Sequence, residues 1–462
     1  MGTDKATAGR LDRATLRILD RALARLDAGF TGLPPADTAP LAAEGIEAVM
    51  LEVATRMRDN APLFHPLYAG QMLKPPHPVA RLAYALAQWI NPNNHALESS
   101  RASSAMEREA VAEIATMFGW TTHLGHLTGG GTMANLEALW VAGRLAPGRV
   151  VLGSSQAHYT HGRIGEVLGL AFEPVACDRK ARMDLAALET RLAAGDVGTV
   201  VATMGTTAAG AVDPLPAILA LRERYGFRVH ADAAYGGYFA LGSSLGDDAR
   251  GAYDRLDQVD SIVIDPHKHG LQPYGCGCVL FRDPTIGRFY KHDSPYTYFG
   301  SKELHLGEIS LECSRAGAAA VALWATQRLL PLMRGGVFAR ALDDSRAAAL
   351  ALHARLAADA RFAVPFAPEL DIVVWAPRAA TAAEASVRSR RLFDAAADRH
   401  LHLARADLPA AWFGPEAGFA GEPGTVTCLR SALMKPEHRA WLDRIWTILD
   451  AAGRDALGGA AR

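Results

Sequence analysis

The stretch SIVIDPHKHGLQPYGCGCVLF, residues 261–281, places one lysine between two histidines in an otherwise apolar, glycine-rich run. SIVI and GCGCVLF are each typical of a short buried strand, so Lys268 is predicted on the connection between two strands. A buried lysine must be paired, deprotonated or used covalently, because its charged form loses its hydration on burial. The question that this stretch raises is which of the three applies to Lys268.

Short apolar stretches alternate with helical segments on the N-terminal side of Lys268. The predicted strands are RVVLGSS (149–155), FEPVAC (172–177), TVVATMG (199–205) and RVHADAAYGG (228–237). Helices are predicted at DLAALETRLAA (184–194) and LPAILALRERYG (215–226). This alternation predicts an α/β fold with a large, mostly parallel sheet covered by helices on both faces. Ligands of such sheets bind at the carboxyl ends of the strands, which is where Lys268 is expected.

The length of 462 residues predicts one large and one smaller domain. Apolar positions at helical spacing in residues 13–28 and 41–58 make residues 1–75 an N-terminal helical segment. The large domain is predicted over residues 76–330. A smaller C-terminal α/β domain is predicted over residues 331–462, with strands at DIVVWA (371–376), LHLARA (401–406) and TVTCLRSAL (425–433).

Composition excludes several classes of function. Half of the residues are hydrophobic and the net charge is −1, so no basic surface is left to neutralise nucleic-acid phosphates. Five cysteines are typical of reduced thiols in a cytoplasmic protein rather than of a disulfide framework. No apolar run approaches the ~20 residues that cross a bilayer, so no membrane partner is expected.

A glycine turn feeds directly into a predicted helix at LTGGGTMANLEALWVAG, residues 127–143. The glycines let the backbone approach a ligand, and the start of the helix offers free N–H groups that suit a phosphate. The turn fits Gly-x-Gly-x-x-Ala at Gly129, Gly131 and Ala134, but the next strand ends without the acidic residue that would bind a ribose. A tight turn with no ligand is the alternative interpretation.

Three polar residues are predicted at strand ends of the same sheet. An aspartate at a strand end, such as Asp232, is more often a helix cap or turn residue than a catalyst. A lone histidine at such a position, such as His158, is usually structural. Cys276 and Cys278 are predicted to be small core residues. Taken in order, the glycine turn, His158, Asp232 and Lys268 match the needs of a pyridoxal phosphate site. Such a site needs a phosphate anchor, a flat group against the ring, an acid at the pyridine nitrogen and a lysine for a Schiff base.

The sequence resembles the group II pyridoxal-dependent decarboxylases, which have the fold type I (aspartate-aminotransferase-like) fold. The matching motifs are TGGGTMAN (128–135), SSQAHYT (154–160), GTTAAGAVDP (205–214), HADAAYGG (230–237) and DPHKHG (265–270). SRAGAAAVALWA (314–325) resembles a stretch shared by archaeal tyrosine/aspartate decarboxylases and sphingosine-phosphate lyases. The resemblance covers roughly residues 60–330, with the motifs in the order of the family.

The resemblance implies pyridoxal 5′-phosphate as cofactor and assigns residues to it. Lys268 would be the Schiff-base lysine, and Asp232 would hold the pyridine nitrogen. His158 would stack on the ring, with Ala234 packing behind it. The remaining cofactor-binding residues implied by the family are Gly131, Thr132 and His267 at the phosphate, and Thr206 beside the cofactor.

The substrate side of the site is assigned by the same resemblance. Tyr298, in YTYFGSKE, would be the proton donor on a mobile loop, with Tyr296 as the alternative. The expected substrate pocket is lined by Tyr68, Gln71, Lys74 and His269, and Arg315 of SRAGA is assigned to substrate binding. Gly129, Met133 and His269 differ from the residues that are usual in the family, which affects the phosphate contacts and the substrate pocket.

The implied reaction is decarboxylation of an L-amino acid, aromatic or acidic, to the amine and CO2. A carbon–carbon lyase of the sphingosine-phosphate lyase type is the alternative enzyme, and a non-catalytic binding protein is the third class. The family also implies a homodimer with shared active sites, in which the N-terminal segment packs on the partner subunit.

Overall fold

The computed structural model describes residues 11–34, 43–291 and 304–457. The helices are α1 (Arg13–Asp27), α2 (Ala43–Met57), α3 (Pro78–Gln88), α4 (Leu97–Met117), α5 (Gly131–Leu145), α6 (Thr160–Leu168), α7 (Leu185–Leu192), α8 (Leu215–Tyr225), α9 (Asp247–Tyr253), α10 (Gly317–Leu329), α11 (Val337–Ala358), α12 (Ala382–Ala397) and α13 (His438–Leu457). The strands are β1 (Leu124–Thr128), β2 (Val150–Ser154), β3 (Phe172–Val175), β4 (Val197–Thr203), β5 (Arg228–Asp232), β6 (Ser261–Ile264), β7 (Gly277–Phe281), β8 (Phe362–Ala363), β9 (Ile372–Pro377), β10 (Ala404–Pro409) and β11 (Thr425–Ala432).

The main sheet has seven strands in the order β1-β7-β6-β5-β4-β2-β3. The pairings from β6 to β3 are parallel, and β7 runs antiparallel to both of its neighbours. The prediction of a mostly parallel sheet is therefore confirmed. At the centre of the sheet, Asp232 pairs with Thr203 of β4 and with Val263 of β6. This register brings the carboxyl ends of β4, β5 and β6 to one edge.

Both faces of the main sheet are buried, because its central strands are continuous apolar runs. Val200, Val229, Ile262 and Leu280 are each fully buried within one hydrophobic core. Such runs are typical of strands that are covered by helices on both sides. The rigid sheet holds the residues at its edge in fixed positions.

Two elements differ from the sequence-based prediction. β1 was not predicted, because LGHLT contains a glycine and a histidine and lacks a clear apolar alternation. The helical periodicity of SAMEREAVAEIATMFGW predicts a helix from residue 104, whereas α4 begins at Leu97 and has non-helical backbone angles at Ser100. A serine-rich start masked the helical periodicity of this segment.

A second, antiparallel sheet has the order β10-β11-β9-β8 and lies in the C-terminal part of the chain. Its helices α11 and α13 pack against each other, and Trp375 of β9 is fully buried. The proline-rich stretch before α3 lies along this sheet: Ala69 N–H donates to His402 O (2.8 Å), and Ala432 N–H donates to Ala69 O (2.8 Å). These bonds fix Tyr68 and Gln71 beside the second sheet.

The helices in the described ranges include none that is long and apolar enough to cross a membrane.

Candidate active site

Asp232 lies at the carboxyl end of β5, the central strand of the main sheet. His161 Nε2 donates to Asp232 Oδ2 across 2.8 Å, and Ala234 N–H donates to Asp232 Oδ1 across 3.1 Å. Burial alone would raise the pKa of Asp232, but the hydrogen bond and charge of His161 outweigh it and hold this pKa well below its ordinary value. Asp232 is therefore a buried carboxylate that keeps its negative charge.

Lys268 lies on the connection between β6 and β7, as its sequence context predicts. Its Nζ is 3.0 Å from Asp265 Oδ2, in an ion pair that also has His267 Nε2 at 3.5 Å from the same oxygen. Asp265 is buried, whereas the Lys268 side chain is 21% exposed. The lysine is thus held by a buried carboxylate but remains accessible from one side.

The glycine turn joins β1 to α5 and approaches the lysine connection closely. A Cβ atom added to Gly131 would lie 2.6 Å from Asp265 Oδ2, so this position tolerates no side chain. Gly131 and Thr132 form the first turn of α5, where backbone N–H groups are unpaired within the helix. Nδ1 of His267 is buried and has no partner among the residues that the structure describes. These donors can hold an anion at the helix N-terminus.

A cavity of about 530 Å³ lies between the glycine turn and the ends of β4, β5 and β6. Seven of the predicted cofactor-binding residues line it: Gly131, Thr132, His158, Asp232, Ala234, His267 and Lys268. We call it the lysine cavity. His158 accepts or donates a 2.8 Å hydrogen bond between its Nδ1 and Thr160 Oγ1, and burial lowers its pKa. His158 is therefore a neutral, flat ring at neutral pH, suited to contact another flat ring.

Glu312 also lines the lysine cavity, although no pattern in the sequence indicated it. Its Oε2 accepts a 2.9 Å hydrogen bond from Gly129 N–H, the first amide of the glycine turn. A phosphate bound at this turn would compete with the Glu312 carboxylate for that amide.

An outer chamber of about 730 Å³ adjoins the lysine cavity, and the two share Thr207 and Lys268. Tyr68 and Gln71, both predicted to bind substrate, line this chamber. Arg430 lines it too and is only 6% exposed. Its Nε has no partner within the described part of the chain. The chamber can therefore receive a molecule with a carboxylate and bring it next to Lys268.

Two predicted site residues lie outside both cavities. Thr206 is fully buried and its Oγ1 accepts from Ala211 N–H (3.0 Å), so it stabilises its own loop, and the next residue, Thr207, lines the cavities instead. Arg315 does not reach the substrate chamber. Its Nη1 lies 2.7 Å from Glu107 Oε1 and donates to Leu127 O (2.8 Å). Both residues therefore stabilise backbone beneath the site in the described chain, and their predicted roles at the cofactor and substrate stay predictions.

His269 and Lys74 are likewise not in the predicted substrate pocket. Both line a different cavity, of about 430 Å³, that shares no described lining residue with the lysine cavity or the outer chamber. His269 is fully buried, with Nε2 at 3.3 Å from Asp371 Oδ2 and Nδ1 at 3.5 Å from Lys74 Nζ. Although His269 follows Lys268 directly in the chain, it belongs to another environment.

Sequence reasoning missed four residues that the structure brings to the site. His161 contacts Asp232, and it follows His158 by three residues in AHYTHG, which is helical spacing. Asp265 precedes Lys268 by three residues in DPHKHG. Arg430 is the one charged residue in strand β11, a signal that the sequence contained. Glu312 had no such signal. Tyr298 and Tyr296 lie outside the described residues.

The residues of the lysine cavity fit pyridoxal phosphate. The helix N-terminus and the orphaned Nδ1 of His267 suit a phosphate, and the charged carboxylate of Asp232 suits a protonated pyridine nitrogen. Lys268 is the one lysine among the described lining residues of this cavity and could bind the aldehyde.

Comparison with known proteins agrees with this fit. Residues 139–377, more than half of the chain, match the family described as "Pyridoxal-dependent decarboxylase conserved domain". The L-tyrosine decarboxylase of Levilactobacillus brevis is 28% identical over 62% of this chain. A probable L-aspartate decarboxylase of Thermococcus gammatolerans is 30% identical over 60% of this chain and 72% of its own length. The chain spans only 62% of the length of the tyrosine decarboxylase.

Solved structures give the same fold. The crystal structure of Oryza sativa TDC with PLP and tryptamine superposes with a TM-score of 0.76 at 19% identity, covering 97% of this chain and 99% of that one. At this identity the likeness concerns the fold alone, and it confirms the predicted fold type I architecture.

Proposed function

Because this chain belongs to the pyridoxal-dependent decarboxylase family, we propose that it decarboxylates an L-amino acid to the corresponding amine and CO2, with pyridoxal 5′-phosphate as cofactor. The observation that carries the proposal is the placement of Lys268 and Asp232, which line one cavity together with the glycine turn. When bound, pyridoxal phosphate supplies an electron sink for bonds to the α-carbon of an amino acid.

Asp232 and His161 keep that sink effective. A carboxylate that stays ionised in a buried site stabilises a proton on a pyridine nitrogen nearby, and His161 keeps Asp232 ionised. His161 does not line the lysine cavity and acts through Asp232, so it is a positioning residue.

Lys268 supplies the amine that binds the cofactor, and Asp265 controls its proton. The ion pair of 3.0 Å keeps Lys268 oriented toward the glycine turn. When the amine gives up its proton, Asp265 is the nearest described carboxylate that can accept it. The glycine turn and His267 hold the phosphate, and His158 contacts the ring.

Arg430 is the proposed anchor for a substrate carboxylate. Its guanidinium is largely buried in the outer chamber, and this burial lowers its pKa because little water solvates the cation. A bidentate carboxylate would satisfy its free donor. Tyr68 offers an aromatic surface in the same chamber. Together with relatives named for tyrosine and aspartate, this supports an aromatic or acidic amino acid as substrate.

We propose a homodimer with shared active sites. No residue of α1 or α2 is buried, and the apolar side chains Ile46, Val49, Met50 and Val53, which share one face of α2, are exposed. An apolar helix face of this kind marks a protein interface. The N-terminal segment, residues 1–75, is thus proposed to pack on the partner subunit. The five free cysteines support a reducing, cytoplasmic setting.

The deciding experiment measures CO2 release from each of the twenty amino acids, and from common non-protein ones, by the purified protein with added cofactor. Lys268→Ala and borohydride-reduced protein are the controls, and both should release no CO2. Release of an aldehyde without CO2 from a phosphorylated amino alcohol would identify the carbon–carbon lyase instead. CO2 release by Lys268→Ala at the wild-type rate would contradict the covalent role of Lys268.

The dimer is tested by mixing two variants that each form less amine than the wild type, the inactive Lys268→Ala and the slowed Tyr298→Phe. If a loop of one subunit completes the site of the other, mixed dimers regain activity. A sedimentation mass equal to one chain, or no recovery after verified subunit exchange, would contradict shared sites.

A further inference from the structure

The cavity of about 430 Å³ that Lys74 and His269 line is separate from the lysine cavity and the outer chamber. It is bounded by residues before α3, by the start of α11 and by the segment that precedes α13. We call it the proline-lined cavity because Pro66, Pro75, Pro76, Pro78 and Pro436 contribute to its wall. The proposed reaction does not use it.

The polar groups of the proline-lined cavity are mainly cationic. Lys74, Arg81 and Lys435 line it, and Glu437 is its one carboxylate among the described lining residues. Neither lysine has a carboxylate within ion-pair distance in the described chain. Beyond ion-pair distance, Lys74 is attracted first by Asp371 and then by Glu437, and Lys435 is attracted by Glu437. The charged side chains that line the cavity are therefore mainly cationic, and neither ammonium group has a carboxylate in direct contact within the described chain.

The hydrogen bonds of the two ammonium groups are incomplete. Lys435 is 3% exposed, and its Nζ donates to Tyr68 O across 2.7 Å. Lys74 Nζ has only long contacts, with His269 Nδ1 at 3.5 Å and Met434 O at 3.3 Å. Since an ammonium group has three donors, each lysine can donate further bonds.

Burial is costly for both lysines, because no carboxylate of the described chain contacts either ammonium group directly. It lowers the pKa of Lys74 to about 8 and that of Lys435 to about 7, and the repulsion between the two ammonium groups contributes at Lys435. An anion placed between them would remove this penalty. Charge-assisted hydrogen bonds to a carboxylate are the strongest that such donors form.

The rest of the wall is apolar. Phe64, Leu271, Phe338 and Leu342 line the cavity in addition to the prolines. A ligand that fits must therefore combine an anionic end with an apolar body, which is the usual composition of small-molecule sites. A phosphate or sulfate ion would leave the apolar wall without a partner.

We propose that the proline-lined cavity binds a small organic carboxylate that carries an apolar body and no amino group, with its carboxylate between Lys74 and Lys435. The absence of an amino group follows from the charge, because two ammonium groups and a guanidinium face one carboxylate. The site is separate from the proposed catalytic centre. Its own lysines, not Lys268 or the cofactor, hold the ligand.

The site is nevertheless linked to the substrate chamber through the backbone. Gln71 and Leu73 line the outer chamber, and Lys74, the next residue, lines the proline-lined cavity. Similarly, Lys268 lines the chamber and His269 lines the proline-lined cavity. A ligand on Lys74 thus contacts two segments that also form the substrate chamber.

The test is isothermal titration of the cofactor-loaded protein with phenylacetate. Phenylacetamide serves as the uncharged analogue and phenylalanine as the analogue with an amino group. We expect phenylacetate to bind at least tenfold more tightly than either. We also expect binding to persist after borohydride reduction, which blocks the lysine cavity but leaves Lys74 and Lys435 untouched.

Variants locate the binding. Lys74→Met should weaken phenylacetate binding at least tenfold, and Ala341→Phe should block it by filling the cavity while keeping both lysines. Lys180→Met removes an exposed lysine elsewhere and should change nothing. Circular dichroism and thermal unfolding verify that each variant is folded.

Four results would overturn the proposal. They are no binding of phenylacetate at millimolar concentration, equal binding of phenylacetamide, tighter binding of phenylalanine, or wild-type binding by both Lys74→Met and Ala341→Phe. Loss of binding on borohydride reduction would assign the ligand to the catalytic centre and would also overturn it. None of these results depends on whether the protein decarboxylates amino acids, since the apoprotein can be titrated in the same way.

Discussion

The substitution Asp232→Asn tests the proposed centre most directly. Asparagine keeps the size of the side chain and can still accept from Ala234 N–H, which lies 3.1 Å from Oδ1. What it removes is the buried negative charge that pairs with His161 at 2.8 Å. Without that charge, nothing holds a proton on the pyridine nitrogen of the cofactor, and the electron sink is weakened.

The size of the effect follows from the burial of Asp232, which is 5% exposed. The attraction between the Asp232 carboxylate and a protonated ring nitrogen has the magnitude of a buried charge pair, about 3–5 kcal/mol, and its loss is expected to raise the barrier by that order. Each 1.36 kcal/mol in the barrier is about tenfold in rate, so kcat should fall by about 10²–10⁴-fold. KM should change little, because the sink acts only as negative charge develops on the substrate.

The assay is CO2 release under saturating cofactor, with retained cofactor measured by absorbance. Asp254→Asn, which changes an exposed carboxylate on the surface, is the matched control and should keep wild-type kcat. His161→Gln should lower kcat less than Asp232→Asn, because the carboxylate remains. If Asp232→Asn retains cofactor and has a kcat near that of the wild type, another group holds the nitrogen and the reasoning fails.

Three further outcomes are expected. Arg315→Met should lower the free energy of unfolding, measured in urea, by about 3–5 kcal/mol, because it leaves the buried Glu107 carboxylate without its cation. If Arg315 binds substrate instead, the variant should have a raised KM and normal stability. Because the pKa of Lys435 is about 7 in the folded protein and near 10.5 when unfolded, the unfolded state binds more protons between these values. The unfolding free energy of the wild type should therefore rise between pH 7 and 10 relative to Lys435→Met, by an amount on the order of 3 kcal/mol. Parallel curves of unfolding free energy against pH for the two proteins would contradict the lowered pKa of Lys435. Tyr298→Phe should slow amine formation and increase the aldehyde side product, both measured by chromatography. An unchanged amine yield would show that another residue donates the proton, and Tyr296 would be the first to test.

Much of the fold could be predicted because it depends on local patterns. The strands from β2 to β7 are short apolar runs bounded by glycine or polar residues, and helices such as α7 and α8 have clear periodicity between them. β1 was missed because an edge strand with a glycine and a histidine lacks that pattern. The boundaries of the three predicted domains stay predictions.

The cofactor chemistry of this protein could be inferred from local features of the sequence. A glycine turn before a helix, an aspartate at one strand end and a lysine at the next are local features. A parallel sheet brings strand ends to one edge whatever the loops do. Lys268, Asp232 and the glycine turn therefore meet at the lysine cavity as expected.

Only the tertiary structure decided which neighbours share that cavity. His161 and Asp265 acquire their roles from contacts of 2.8 Å and 3.0 Å with Asp232 and Lys268. Arg430 comes from a strand 162 residues further along the chain than Lys268 (430 − 268). Adjacency in the chain was misleading for His269, since a side chain one residue further along a turn faces a different cavity. The physical reason is that backbone pattern specifies where a strand or helix lies, whereas side-chain direction and packing specify what each residue contacts.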